Sequence, residues 1–100
     1  MRVKAGQEGA FEAAWLDVAR HAAAAPGNLR QALLRDPRDP TRFVVSTDWT
    51  SLETFRSFER SPEQDRVTAP LRALRESAAM AVYEVVHRFE GGDESTSGPE

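Results

Sequence analysis

The chain of 100 residues has no cysteine. That excludes a disulfide scaffold, thiolate catalysis and thiolate metal ligands. It has no apolar run near the ~20 residues of a membrane span. Lys4, Gln7, Glu8 and Glu12 interrupt any signal-like hydrophobic stretch at the start. A cytoplasmic protein that does not engage a membrane is the expectation. Histidines number two, His21 and His87, far apart and without a His-x-x-x-His spacing, so no metal site is expected. No glycine-rich segment lies between a strand and a helix, and Gly91-Gly92 belongs to the tail. Nicotinamide or a tightly held flavin therefore has no docking motif, and no cofactor is expected. Charge of one sign is also scarce. The net −3 comes from Glu90, Asp93, Glu94 and Glu100; without them 12 acids face 13 basic residues. No basic field exists to hold nucleic acid.

What is present centres on residues 42–55. Arg42 to Trp49 reads as a strand with Phe43, Val45, Thr47 and Trp49 on one face. Ser51 then suits a helix N-cap, with Leu52, Phe55 and Phe58 at helical spacing. A large ring is thus set at a strand end, beneath a helix start, as a pocket wall would be.

The rest of the chain falls in around it. Arg2 to Lys4 forms a short strand before Ala5-Gly6; either it is stunted or the true start lies upstream of Met1. Gln7 to about Ala25 is helical, with Phe11, Ala14, Trp15, Val18 and Ala22 as its apolar stripe. Pro26-Gly27 ends it. Asn28 to Arg35 is a strand whose Leu29, Gln31 and Leu33 share one face and whose Asn28, Arg30 and Ala32 share the other. The cluster Asp36–Pro40 turns it back into Arg42–Trp49 as a hairpin. Ser61-Pro62-Glu63-Gln64 has the pattern of a capping box with Pro at the first helical position. Val67, Leu71, Leu74 and Ala78 follow as a stripe, and Pro70 is expected to break or kink the helix. Ala79 to Phe89 alternates as the last strand: Tyr83, Val85, His87 and Phe89 on one face, Met80, Val82, Glu84, Val86 and Arg88 on the other.

The order β-α-β-β-α-β predicts an α+β, ferredoxin-like domain over residues 1–89, a four-stranded antiparallel sheet with helices on one face. Residues 90–100 are polar and acidic and are expected to be a disordered tail. The second sheet face has nothing in one chain to cover it, so a homodimer stacked sheet on sheet is expected.

With this order in place, Val3-Lys4-Ala5-Gly6-Gln7-Glu8 with Phe11 and Trp15, Pro26-Gly27, Asp39-Pro40, Phe43-Val44, Trp49-Thr50-Ser51, Phe55, Phe58 and Ser61-Pro62 resemble the antibiotic biosynthesis monooxygenase family of dimeric α/β barrels. The resemblance spans about residues 2–88. It implies a small cofactor-independent monooxygenase acting on a polycyclic aromatic phenol or anthrone with O2. It leaves open a protein that assists polyketide cyclisation, or a non-catalytic dimer that binds a hydrophobic ligand. In the family's anthrone oxygenases the Trp ending the third strand lines the pocket, and Trp49 matches it. Those enzymes look to carry an Asn four residues before that Trp and a Tyr six after; here Val45 and Phe55 stand instead. The Asn and His of the family's haem-degrading branch have no counterparts, which disfavours that activity.

The candidate catalytic residues are Trp49, Tyr83 and His87. Trp49 would stack on the substrate; Tyr83 and His87 are the best pair for moving a proton. Phe11, Trp15, Asn28, Val45, Phe55 and Phe58 are candidates for binding substrate. Each has a plainer reading: core for the aromatic residues, a turn for Asn28, an interface for Tyr83. Arg30 and Arg42 could meet across the hairpin to hold an anionic substrate. His21, off the α-helical stripe, is expected at the surface near a helix C-terminus.

Overall fold

The computed structural model describes residues 1–91. Along them run β1 (Arg2–Val3), α1 (Glu8–Ala23), β2 (Asn28–Asp36), β3 (Asp39–Trp49), α2 (Leu52–Glu59), α3 (Pro62–Leu74) and β4 (Arg75–Ser77). The strands form one antiparallel sheet in the order β2-β3-β1-β4. This is the ferredoxin-like arrangement, with an open sheet and a divided second helical segment. The expected acidic tail lies, from residue 92 on, outside the described residues.

Alternation along β3 sets the layers. Phe43 is buried on the helix side, and Val44 next to it is half exposed on the other. Phe11, on the apolar stripe of α1, meets Phe43 with ring centroids 5.1 Å apart. Val3 and Leu71 complete the buried core, and Trp15, Leu33 and Leu74 pack against it. Each fully buried apolar side chain here contributes roughly 1.5–3 kcal/mol by leaving water. Gln31 faces the same side, and its Nε2 donates to the Ala19 carbonyl at 2.8 Å. The hairpin closes through Pro37-Arg38, between the paired residues Asp36 and Asp39. The Asp36 carboxylate accepts the Arg38 N–H at 2.8 Å, a local bond typical of Asp in turns.

The caps expected from sequence form. Ser51 Oγ accepts the Thr54 N–H, and Ser61 Oγ accepts the Gln64 N–H, each at 3.1 Å. The box at Ser61 is only half made. The Ser61 N–H donates to the Phe58 carbonyl instead, and Gln64 Oε1 is buried without a partner among the described residues.

Pro70 does not end the helix: α3 runs through it to Leu74. Pro70 leaves the Arg66 carbonyl without its backbone donor, and side-chain bonds fall on the two carbonyls before it. Thr68 Oγ1 donates to the Gln64 carbonyl at 2.8 Å, and Arg72 Nη2 to the Asp65 carbonyl at 3.2 Å.

The last strand departs most from expectation. β4 is Arg75–Ser77, and Ala79–Phe89 is not a strand. The reason is pairing. β4 lies against β1 with Arg2 opposite Ser77 and Val3 opposite Arg75. β1 is two residues long, so the chain beyond Ser77 has no neighbouring strand to bond. Alternation makes a segment fit for a sheet, but a ladder needs a second strand. Residues 78–91 form an exposed arm, with Tyr83 86% and Phe89 99% exposed. Arg88 ties the arm back to Asp48 on β3 at 3.4 Å.

Candidate functional site

Two turns build the site. The first joins α1 to β2 through Pro26-Gly27, the second joins β3 to α2 through Thr50-Ser51. They are clasped together: the Thr50 N–H donates to the Gly27 carbonyl at 2.8 Å. Gly27 has φ +89°, and a Cβ there would lie 2.6 Å from Thr54 Cβ and Oγ1. Only glycine allows both that backbone angle and that approach.

Immediately after the clasp, β2 shifts register. Asn28 pairs with Trp49 and Arg30 with Asp48, so Leu29 is the extra residue of a bulge. Strict alternation had placed Asn28 on the outer face with Arg30. The bulge sets it opposite Trp49, where cross-strand side chains come within about 5 Å at their Cβ atoms. Asn28 Nδ2 is buried and meets no partner among the described residues. Arg30 stays on the outer face, paired with Asp48 at 3.3 Å. Arg42 is opposite neither: it pairs with Arg2 on β1, so the two arginines do not meet.

Trp49, at the end of β3, lies under α2. Its ring is 5.8 Å from Phe55 and 5.0 Å from Phe58, both tilted contacts. Its indole N–H donates to Thr47 Oγ1 at 3.1 Å. Phe58 then reaches the other way, to the His21 ring at 5.4 Å. His21 is therefore not a free surface group. It is partly buried, and its Nε2 has no partner among the described residues. The stripe of α1 reports what faces the sheet and core; His21 is covered from the flank by α2, which helical periodicity in α1 does not register.

Beside Phe58 opens a cleft of about 330 Å³. His21, Ala24, Ala25 and Pro26 form one wall; Thr54, Ser57, Phe58 and Ser61 form the other. Trp49 stands behind Phe58 rather than in the wall. Val45 is half-buried on the helix-facing side of β3, opposite Leu33. Phe11 and Trp15 belong to the core around Phe43, six residues and roughly 20 Å along the strand from Trp49. Tyr83 and His87 lie on the exposed arm, whose Arg88 reaches Asp48 beside Trp49. The chain thus brings together Trp49, Phe55, Phe58 and Asn28 of the expected residues, and adds His21.

Away from the site, the hydroxyl and N–H of Thr41, with Arg2, hold the Asp39 carboxyl down at about 2. Among the described residues no group of three or more His, Asp or Glu gathers to hold a metal. Among them, too, no helix is long and apolar enough to cross a membrane. What the site offers is aromatic surface, a buried amide and an imidazole nitrogen.

The comparisons with known proteins bear on the family and the fold. The model of the antibiotic biosynthesis monooxygenase family matches residues 1–69. Among curated protein sequences none matches. Among solved structures, SnoaB from Streptomyces nogalater, described as a cofactor-independent oxygenase, superposes with a TM-score of 0.71 at 26% identity, covering 85% of this chain and 90% of its own. A candidate antibiotic biosynthesis monooxygenase from Nitrosomonas europaea gives a TM-score of 0.77 at 20% identity, over 86% of this chain and 84% of its own. One from Chloroflexus aurantiacus gives 0.65 at 23%, over 84% and 90%. The last two speak to the fold alone. With a family match over more than half its length and the same architecture in solved relatives, the chain belongs to the antibiotic biosynthesis monooxygenase family.

Proposed function

We propose that this chain is a small oxygenase that uses O2 without a cofactor to oxidise a planar polycyclic phenol or anthrone. The observation that carries the reading is the Trp49–Phe55–Phe58 cluster with the unpartnered Asn28 amide opposite Trp49. Flat aromatic surface suits a flat substrate. A buried amide N–H is a donor for a carbonyl or phenolate oxygen, where charge would grow as the substrate loses a proton. Val45 and Phe55 supply no such donor, so Asn28 takes the position of interest. Likeness to SnoaB supports the same class.

In that chemistry the substrate is itself the reductant. An anthrone loses a ring C–H proton to give a carbanion, which passes an electron to O2. Recombination forms a C–O bond, and loss of water from the hydroperoxide leaves the quinone. One anthrone and one O2 give one quinone and one water. The protein orients the ring, stabilises the oxyanion and excludes bulk water. Tyr83 and His87, the chain's pair for moving a proton, would be drawn in by assembly. The arm 78–91 and the open sheet face, with Leu34 and Val44 about half exposed, support a homodimer in which a second copy covers both. The expected setting is the cytoplasm, in aromatic polyketide metabolism.

The test is oxygen uptake by metal-free protein supplied with dithranol, against the rate with heat-denatured protein. Saturable uptake with one quinone formed per O2 is the expected result. Binding without uptake would replace the oxygenase with the ligand-binding or cyclisation-assisting alternative. Sedimentation equilibrium at micromolar concentration should give twice the chain mass; a clean monomer would refute the dimer.

A further inference from the structure

The sheet runs β2-β3-β1-β4, so β2 is an edge strand whose ladder, among the described residues, is with β3 alone. From Arg30 to Arg35 that ladder is regular. β2 has neither the proline nor the lysine that commonly guards an edge. Its outer row of N–H and C=O groups is open to a further strand. The arm 78–91 is the reverse case, a segment with strand alternation and no strand beside it. Met80, Val82, Val85, Val86 and Phe89 on it are 55–99% exposed, an apolar surface of the kind that marks a contact site. Extended at ~3.3 Å per residue, Ala79 to Phe89 spans about 36 Å, enough to run the length of the nine-residue β2. The arm leaves the sheet from β4, the edge opposite β2. The β2 it meets is therefore that of a second copy.

We infer that the arm of each copy adds to the β2 edge of the other as a fifth, antiparallel strand, with the partner's Glu84 opposite Arg30, and carries the partner's His87 to the rim of the Trp49 site. The register follows from the two patterns. On the outer face it sets the partner's Val82 against Ala32 and the partner's Met80 against Leu34, which is about half exposed in the single chain. Charge agrees with it. Arg30 and Arg88 both lean on Asp48, at 3.3 and 3.4 Å, so one carboxylate balances two guanidinium groups. Glu84 forms no ion pair among the described residues; opposite Arg30 it supplies the second carboxylate, and opposite charges across a ladder stabilise it. A parallel strand with the same charge pair would set the partner's Arg88 against Leu34. A slip of one residue would turn the partner's Glu84 toward the helices. Three residues past that glutamate, the partner's His87 comes level with Gly27, next to Asn28 and its cross-strand neighbour Trp49. The Arg88–Asp48 tether within one chain is partly exposed on both sides, and such pairs contribute little, so its release does not hold the arm back. Exchange of an identical element is a low-cost route to a dimer. The inference rests on the homodimer proposed above and is independent of the substrate.

The chain has no cysteine, so introduced cysteines report the contact without background. Full-length Ala32→Cys/Val82→Cys, oxidised at micromolar concentration, is expected to run on a non-reducing gel as a covalent dimer that reductant dissolves. Ala32→Cys/Val86→Cys, the pair that a parallel strand would join, should stay monomeric on the gel, as should each single variant. A fast-migrating monomer with an internal disulfide would place the arm on its own chain and overturn the exchange. A dimer from the Val86 pair instead of the Val82 pair, or from a single variant as readily as from the Val82 pair, would overturn the register. No disulfide, with sedimentation still giving twice the chain mass, would overturn the arm exchange and leave the homodimer standing; sedimentation at the chain mass would overturn both. If the cysteine variants do not fold, Glu84→Arg decides. Facing Arg30 across the ladder in both halves of the dimer, it should raise the dimer Kd about two- to thirtyfold, with recovery in Glu84→Arg/Arg30→Glu. An unchanged Kd would overturn the register.

Discussion

Replacing Gly27 with alanine tests the clasp on which the site is built. At φ +89° an L-residue loses roughly 1–2 kcal/mol relative to its preferred backbone. The new Cβ would sit 2.6 Å from Thr54 Cβ, which is backbone-proximal and cannot swing aside, so overpacking adds roughly 1–3 kcal/mol. Loss of glycine's freedom in the unfolded chain returns about 0.4–1 kcal/mol. The net is a destabilisation of about 1–4.6 kcal/mol. Gly6 provides the control. It sits in the turn closed by the Gln7 N–H on the Lys4 carbonyl at 3.0 Å, with φ +83°, and a Cβ there meets nothing within 4 Å. Gly6→Ala therefore carries the backbone strain alone, a net cost of about 0–1.6 kcal/mol. Urea unfolding of both variants gives the difference directly. Equal losses would show that the approach of the two turns carries no energy, and the clasp argument would fail. Because Asn28 follows Gly27 directly, affinity for alizarin, a flat hydroxylated anthraquinone, should drop in Gly27→Ala and hold in Gly6→Ala.

Two further outcomes concern the scaffold. Asp39 is held at about 2 by Thr41 and Arg2, below its usual 3.8; its contribution is complete above about pH 4 and is lost as the pH falls through about 2. The urea-midpoint gap between wild type and Asp39→Asn should hold from neutral pH down to about 5 and close towards 2; a gap unchanged across that range would contradict the assignment. Pro70→Ala restores the donor missing from α3 and should raise stability, by up to the ~3 kcal/mol helix-interior difference; a lowered melting temperature would mean that the proline shapes the helix usefully.

Local signals were legible wherever local physics decides the structure. Ser51 and Ser61 cap as their positions indicate, and the Phe11-to-Ala22 stripe faces the core. The turn expected over Asp36–Pro40 does close the hairpin, but more tightly, through Pro37-Arg38 with β3 already begun at Asp39. What was not legible depends on partners distant in sequence. Ala79–Phe89 has the alternation of a strand, but β1 is too short to extend the ladder. Asn28 changes face because of a bulge at Leu29, and nothing in Asn28-Leu29-Arg30 announces one. His21 is off its helix's own stripe and is covered by Phe58, contributed by a different helix. Pro70 obeys its local penalty, yet the helix continues because packing of Leu71 and Leu74 holds the turn that follows it.

The most direct test of the site is Trp49→Phe, with stability and ligand affinity measured on the same preparation. The substitution removes the indole N–H bond to Thr47 and part of the ring, while leaving an aromatic surface for Phe55 and Phe58. The predicted result is a folded protein with stability changed by less than about 1 kcal/mol, since the Thr47 bond is exposed. Alizarin binding or dithranol turnover should weaken several-fold in the same variant, as stacking of a flat ligand contributes about 1 kcal/mol beyond burial. A clearly lowered melting temperature with unchanged affinity and turnover would contradict this: Trp49 would then be core, and the site would lose its centre.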